Sequence, residues 1–362
     1  MPKPVSSSAL GQKASSDRLF YLDCIRAFAC LSVVMLHVSS NYVIQTVGST
    51  GFWVGNIFDS LSRAAVPLFV MLSGALMLDE DYTFTKEKWI RHIVSLLLFF
   101  VFWSAFYCVI YQMILPIFRH EKISLFSIVF AFFKGNSHLW FIPMTIGLYL
   151  LVPLLRLWVT KANRRYVAYY LILSLLFAFV IPQALQWMIY FKPSFISFEK
   201  LLDRLQIHYP LGYTSYFILG WYLRSFEWTK KQWIYALGLL GACVTMIGTY
   251  VELSFTQSEQ FLFYSEFSVN VFVYSAAIFV LFKSLFGNPE RGSQKLHQAV
   301  HIIEKNSLGI YSIHMVLVFV LTRLMASFPA LFAIPATFIL AITLSLLCTR
   351  IIRKLPLLRK MV

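Results

Sequence analysis

Residues 20–42 read FYLDCIRAFACLSVVMLHVSSNY, an apolar run interrupted by Asp23, Arg26 and His37. About 20 apolar residues in a helix cross the hydrocarbon of a bilayer, so this stretch is long enough to span. Working outward, runs of the same kind recur at 55–78, 92–116, 137–157, 166–190, 209–226, 233–252, 263–285, 302–322 and 331–349. Residues of the AVILMFWYC set make up 59% of the chain, charged residues 13%, and mean hydropathy is +0.71. A soluble domain carries about 25% charged residues, so this chain is half as charged as one. Lipid offers backbone N–H and C=O groups no partner, and continuous runs of this length suit helices rather than the alternating strands of a barrel. The expectation is an all-α polytopic membrane bundle of about ten transmembrane helices. A polar segment at 1–19, one transmembrane domain at 20–349 and a basic tail at 350–362 divide the chain. The run at 209–226 is short and begins at His208-Tyr-Pro, so a broken or re-entrant element is expected there.

A net charge of +15 invites a nucleic-acid reading, which its distribution excludes. With the N-terminus inside, Lys and Arg show a roughly threefold excess in the inner segments, as the positive-inside rule requires. Both termini are therefore expected in the cytoplasm. The five cysteines, Cys24, Cys30, Cys108, Cys243 and Cys348, all lie in apolar runs with no CxxC, and read as buried hydrophobes without disulfide or metal. The polar start of the chain and Arg26 within the first run argue against a cleaved signal peptide. Aromatic residues, 17% of the chain, suit interface belts and a sugar site alike. No inverted repeat of the transporter kind is visible.

Ionisable side chains inside a membrane are costly and default to functional hypotheses. Arg26 and His37 are separated by eleven positions, which places them on one helix face about 16 Å apart along the axis. In the inside-first orientation Arg26 lies near the cytoplasmic third and His37 toward the outer half. Asp59 and Arg63 are i,i+4 partners positioned for an ion pair, and fit helix packing and substrate contact equally. The following Pro67-Leu-Phe-Val-Met-Leu-Ser-Gly74 carries small residues that permit close helix approach. His138 and Trp140 open the fourth run, where Trp140 alone reads as a belt residue. Asn306-Ser-Leu-Gly-Ile-Tyr-Ser-Ile-His314 places another histidine near mid-membrane. The chain has no G-x-S-x-G elbow, HExxH, P-loop or GxGxxG.

Asp23-x-x-Arg26 with His37, Ser62-Arg63-Ala-Ala-Val-Pro-Leu-Phe-Val-Met-Leu-Ser-Gly74, His138-Leu-Trp-Phe and Asn306 through His314 together resemble the acyltransferase-3 family of membrane O-acyltransferases. The likeness runs in order from the first span to the ninth, and the Arg-x10-His pairing is its most specific element. Within the family it is closest to stand-alone members without a periplasmic hydrolase-like domain, such as enterobacterial common antigen O-acetyltransferases. The resemblance implies a multi-pass protein of the bacterial inner membrane. It further implies acetyl transfer from acetyl-CoA, a substrate rather than a bound cofactor, to a hydroxyl of an envelope glycan or lipid-linked saccharide. Where family members often carry Arg-x-x-Arg after the second span, this chain has Lys88-Trp-Ile-Arg91, and lysine lacks the guanidinium fork for bidentate phosphate binding.

On that reading Arg26, Lys88 and Arg91 meet the donor near the cytoplasmic face, with Asp23 steadying the Arg26 guanidinium. His37, deeper on the same stripe, is the general base; an imidazole pKa of about 6.5 suits the role. Arg63, His138, Trp140, Asn306 and His314 are candidates for acceptor binding or support, and no metal is expected. An acyl-histidine intermediate is the alternative within the class. A transporter or flippase for a sugar-containing lipid is the rival outside it, and a membrane-anchored sensor a weaker third.

Overall fold

A computed structural model describes residues 19–80, 82, 84–114, 124–159, 161, 163–196, 200, 211–256, 261–288, 291–356 and 358–362. His208 and nearly all of the polar N-terminal segment lie outside them. The described residues form helices and no strand. They are α1 (Phe20–Val43), α2 (Thr50–Ser62), α3 (Ala65–Met77), α4 (Lys86–Cys108), α5 (Leu125–Lys134), α6 (Phe141–Val159), α7 (Arg164–Ser174), α8 (Ile181–Phe191), α9 (Gly212–Ser225), α10 (Lys231–Thr256), α11 (Val269–Phe286), α12 (Gln294–Leu324) and α13 (Ala330–Arg353). Helix starts follow the side chains that can cap them. Ser49, Thr85, Ser124, Asn163, Ser268 and Ser293 each accept a hydrogen bond from a main-chain N–H two or three residues on.

Among the described residues nine helical stretches are long and apolar enough to cross a membrane, one fewer than the sequence suggested. The missing one is the run at 209–226. Its helix α9 has 14 residues, about 21 Å at 1.5 Å per residue, against roughly 30 Å of hydrocarbon. Every residue from Thr214 to Leu223 is buried, so protein rather than lipid surrounds it. A short helix is tolerated at membrane depth on that condition. α9 packs against α3 at a crossing that admits no side chain. A Cβ on Gly74 would strike the Phe217 carbonyl, and one on Gly220 the Met71 carbonyl. The small residues of the 67–74 stretch do in the structure what their size suggested.

The second predicted span is two helices. The helix breaks at Arg63-Ala64 and restarts at Ala65, with Pro67 in the first turn of α3, where a missing N–H leaves no interior bond unmade. α1 sits at the centre and packs on α2, α3, α11, α12 and α13. The outer helices turn apolar side chains outward: Leu97, Leu98 and Val101 on α4, and Leu331, Phe332 and Ile339 on α13 are exposed. Such a surface suits lipid. The end of the chain returns to this shell. The Trp103 indole donates to the Met361 carbonyl at 2.8 Å, and Val362 is buried beside Phe99 and Trp103.

Candidate active site

α1 and α12 run side by side in parallel and in register. Arg26 Nη1 donates to Glu304 Oε1 at 2.5 Å. One turn on, Cys30 Sγ approaches the Ser307 carbonyl at 3.8 Å. Further along, the rings of His37 and His314 lie close together, tilted by 34° with centroids 5.3 Å apart. The eleven-residue spacing on α1 is thus matched by a ten-residue spacing on α12. An ion pair forms one rung of this ladder and a histidine pair the other, about 15–16 Å apart at 1.5 Å per residue.

The two α1 residues wall a single cavity of about 190 Å³. Arg26, Val33 and His37 form one side, Ser307, Leu308 and Tyr311 of α12 another, and Val66, Phe69 and Ser73 of α3 a third. α4 contributes Leu96. His138 and Trp140, with Phe141, Ile142, Thr145 and Tyr149 of α6, close it. The lining is mostly apolar, so its few polar groups stand out. His138 is 3% exposed, with neither ring nitrogen hydrogen-bonded among the described residues. Its ring lies edge-on to Tyr107 at 4.8 Å and 5.4 Å from His314. The Tyr311 hydroxyl donates to the main-chain carbonyl of His138 and holds this turn against α12.

The other candidates divide. Trp140 lines the cavity and packs on Tyr213, which is more than belt duty. His314 is fully buried behind the wall, in ring contact with both His37 and His138. Lys88 and Arg91 are exposed at the start of α4 and do not line the cavity. Between them, Trp89 Nε1 donates 2.7 Å to the carbonyl of Tyr149, which does. Asp23 is half-buried one turn before Arg26.

Arg63 and Asn306 face elsewhere. The Arg63 guanidinium pairs with Asp59, as the i,i+4 spacing suggested, and stacks 3.9 Å over the Tyr264 ring. Asp59 also accepts from Ser39 at 3.3 Å, two residues beyond His37, so this fully buried carboxylate ties α2 to α1. Asn306 Nδ2 donates to Ile302 O in its own helix at 2.6 Å. Among the described residues, no group of three or more His, Cys, Asp or Glu is placed to hold a metal ion.

Residues 19–350 match the acyltransferase domain of the acyltransferase-3 family, nearly the whole chain. The chain belongs to the acyltransferase-3 family. No curated protein and no solved structure matches it. With nine stretches among its described residues long and apolar enough to cross a membrane, this acyltransferase-3 chain is a multi-pass membrane acyltransferase. Behind the cavity wall Arg26 has one ionisable partner that the sequence reading passed over, Glu304. That carboxylate lies at the start of the ninth apolar run, 302–322, and was not singled out there. Its spacing from His314, nearly that of Arg26 from His37, is the signal that could have found it.

Proposed function

We propose that this acyltransferase-3 protein moves an acetyl group from cytoplasmic acetyl-CoA to a hydroxyl of an envelope glycan or its lipid-linked precursor. In this reading it lies in the bacterial inner membrane with both termini inside, as an enzyme of the common-antigen O-acetyltransferase kind. The observation that carries the proposal is the placing of Arg26 and His37 on the wall of one cavity. Ligand pockets for drug-sized molecules run to about 300–1,000 Å³. A volume of about 190 Å³ holds the acyl end of a pantetheine arm and excludes a nucleotide. The nucleotide and its phosphates stay at the cytoplasmic mouth, where Lys88 and Arg91 supply positive charge. Arg26 is already neutralised by Glu304. It serves as a fixed array of N–H donors to the pantetheine arm, since a guanidinium carries five and Glu304 does not use them all.

His37 stands at the far end of the cavity, where the thioester arrives. It takes the proton of the acceptor hydroxyl as the oxygen attacks the thioester carbonyl. The ester C–O bond forms, the C–S bond breaks, and His37 returns the proton to the CoA thiolate. The His138 ring, buried and with no partner for either nitrogen among the described residues, is available to donate to the developing oxyanion. Trp140 and the other aromatics of the wall offer stacking surface for the acceptor sugar.

Vesicles containing the purified protein test this against a transporter or flippase. Supplied with labelled acetyl-CoA and a lipid-linked glycan, they should release CoA thiol in step with label appearing in the glycan. Movement of glycan across the bilayer without CoA release would overturn the proposal.

A further inference from the structure

His314 is a buried group for which the transfer step above has no use. It lies behind the cavity wall, fully buried, on the helix that runs in register with α1. Its Nδ1 is 3.1 Å from the Ile310 carbonyl, one turn earlier in the same helix. A carbonyl only accepts, so Nδ1 carries the proton and Nε2 is left with a lone pair. Nε2 is buried and has no hydrogen-bond partner among the described residues. A buried acceptor left unpaired is costly, which calls for a donor nearby.

Two rings are close enough to supply one. His37 lies at 5.3 Å between centroids with an interplanar angle of 34°, and His138 at 5.4 Å with 77°. Either ring can turn an N–H toward that lone pair; His138 is engaged by the oxyanion in the transfer step above, and His37 lies on the helix that runs in register with α12. Tyr311 does not compete, because its hydroxyl donates to the His138 carbonyl. Arg63, just past the end of α2, is engaged by Asp59.

We propose that His314 is the positioning residue for His37. Its Nε2 accepts one ring N–H of His37, which fixes the tautomer and leaves the other His37 nitrogen as the lone pair facing the cavity. The chain Ile310 carbonyl, His314, His37, acceptor hydroxyl then repeats the logic of a base held by a third group. Here the third group is a neutral imidazole, itself locked by its own helix. The inference rests on the acyl-transfer reading, in which His37 is the base.

Three variants of the full-length protein in vesicles test it: His314→Leu, His314→Gln and His37→Gln. Leu removes the acceptor, whereas Gln places an amide oxygen close to where Nε2 stood. His314→Leu should lower kcat roughly 100-fold with KM for acetyl-CoA nearly unchanged, the signature of a lost transition-state contribution. His314→Gln should recover at least about tenfold of that loss. Equal loss in Leu and Gln, or a His314→Leu kcat within about threefold of wild type, would overturn the inference. Should His314→Leu fail to fold, nitrogen-15 NMR of the histidine-labelled wild type still decides. Protonation of His314 at Nδ1 and a single neutral His37 tautomer are expected, and His314 protonated at Nε2 would refute the assignment. Full activity in His37→Gln would instead bring down the acyl-transfer reading of His37. An inactive His37→Gln beside a fully active His314→Leu would bring down only the role of His314.

Discussion

Arg26→Met and Glu304→Met break the same ion pair from opposite ends, and the two changes should not cost the same. The Glu304 side chain is 3% exposed and the Arg26 side chain 28%. Removing Arg26 leaves a carboxylate inside the protein without the 2.5 Å hydrogen bond that balanced it. Breaking a buried pair in this way costs about 3–5 kcal/mol. Removing Glu304 leaves a guanidinium on a cavity wall, where water can reach it. The loss there is nearer that of one charged hydrogen bond, about 1.5–3 kcal/mol before screening by that water reduces it. Replacing both with Met leaves neither charge behind, so the double variant should lie closer to wild type than Arg26→Met does. Reversible denaturation in mixed micelles by increasing dodecyl sulfate, followed by circular dichroism, measures all three. Equal costs for the two single variants, or costs that simply add in the double, would refute the account of this pair.

Other outcomes follow from the same geometry. Lys88→Ala and Arg91→Ala should each raise KM for acetyl-CoA about tenfold with kcat nearly unchanged, while Lys88→Arg keeps or lowers KM because it restores a guanidinium fork. Steady-state kinetics in vesicles checks this, and a fall in kcat alone would count against phosphate binding there. Gly74→Leu and Gly220→Leu drive side chains into the Phe217 and Met71 carbonyls, and should abolish a stable α3–α9 pair. Gly147→Ala meets no atom within 4 Å and should stabilise α6 by about 0.5–1 kcal/mol, as thermal unfolding in detergent would show. Purified protein given labelled acetyl-CoA without acceptor should retain no label on histidine. Stoichiometric acyl-histidine would replace direct transfer with a covalent route.

Much of this was legible in the chain because membrane depth makes polar residues conspicuous. Arg26 and His37 stood out for their cost in lipid, and one helix fixes their spacing, so no tertiary knowledge was needed to put them on one face. The Asp59–Arg63 pair was readable for the same reason. Glu304 was not, because its meaning depends on which helix lies against α1, and nothing local in the 294–306 stretch says so. α9 was legible in part, its shortness visible in the chain and its surroundings not. Its composition is that of a span, and only the proteins' own helices around it, closed up at Gly74 and Gly220, reveal that lipid is not its surroundings. Arg63 and Asn306 look outward from the cavity because partners closer by, Asp59 and the Ile302 carbonyl, take their donors first. Sequence spacing names such residues without saying which neighbour wins.

The central claim is that His37 is the base in an acyl transfer from acetyl-CoA. Wild type and His37→Gln, purified, matched in amount and fold, and placed in vesicles with labelled acetyl-CoA and lipid-linked glycan, address it most directly. Wild type should transfer label to the glycan with matching release of CoA thiol, and His37→Gln should be slower in kcat by roughly 100-fold or more. Transfer by His37→Gln at the wild-type rate would contradict the account.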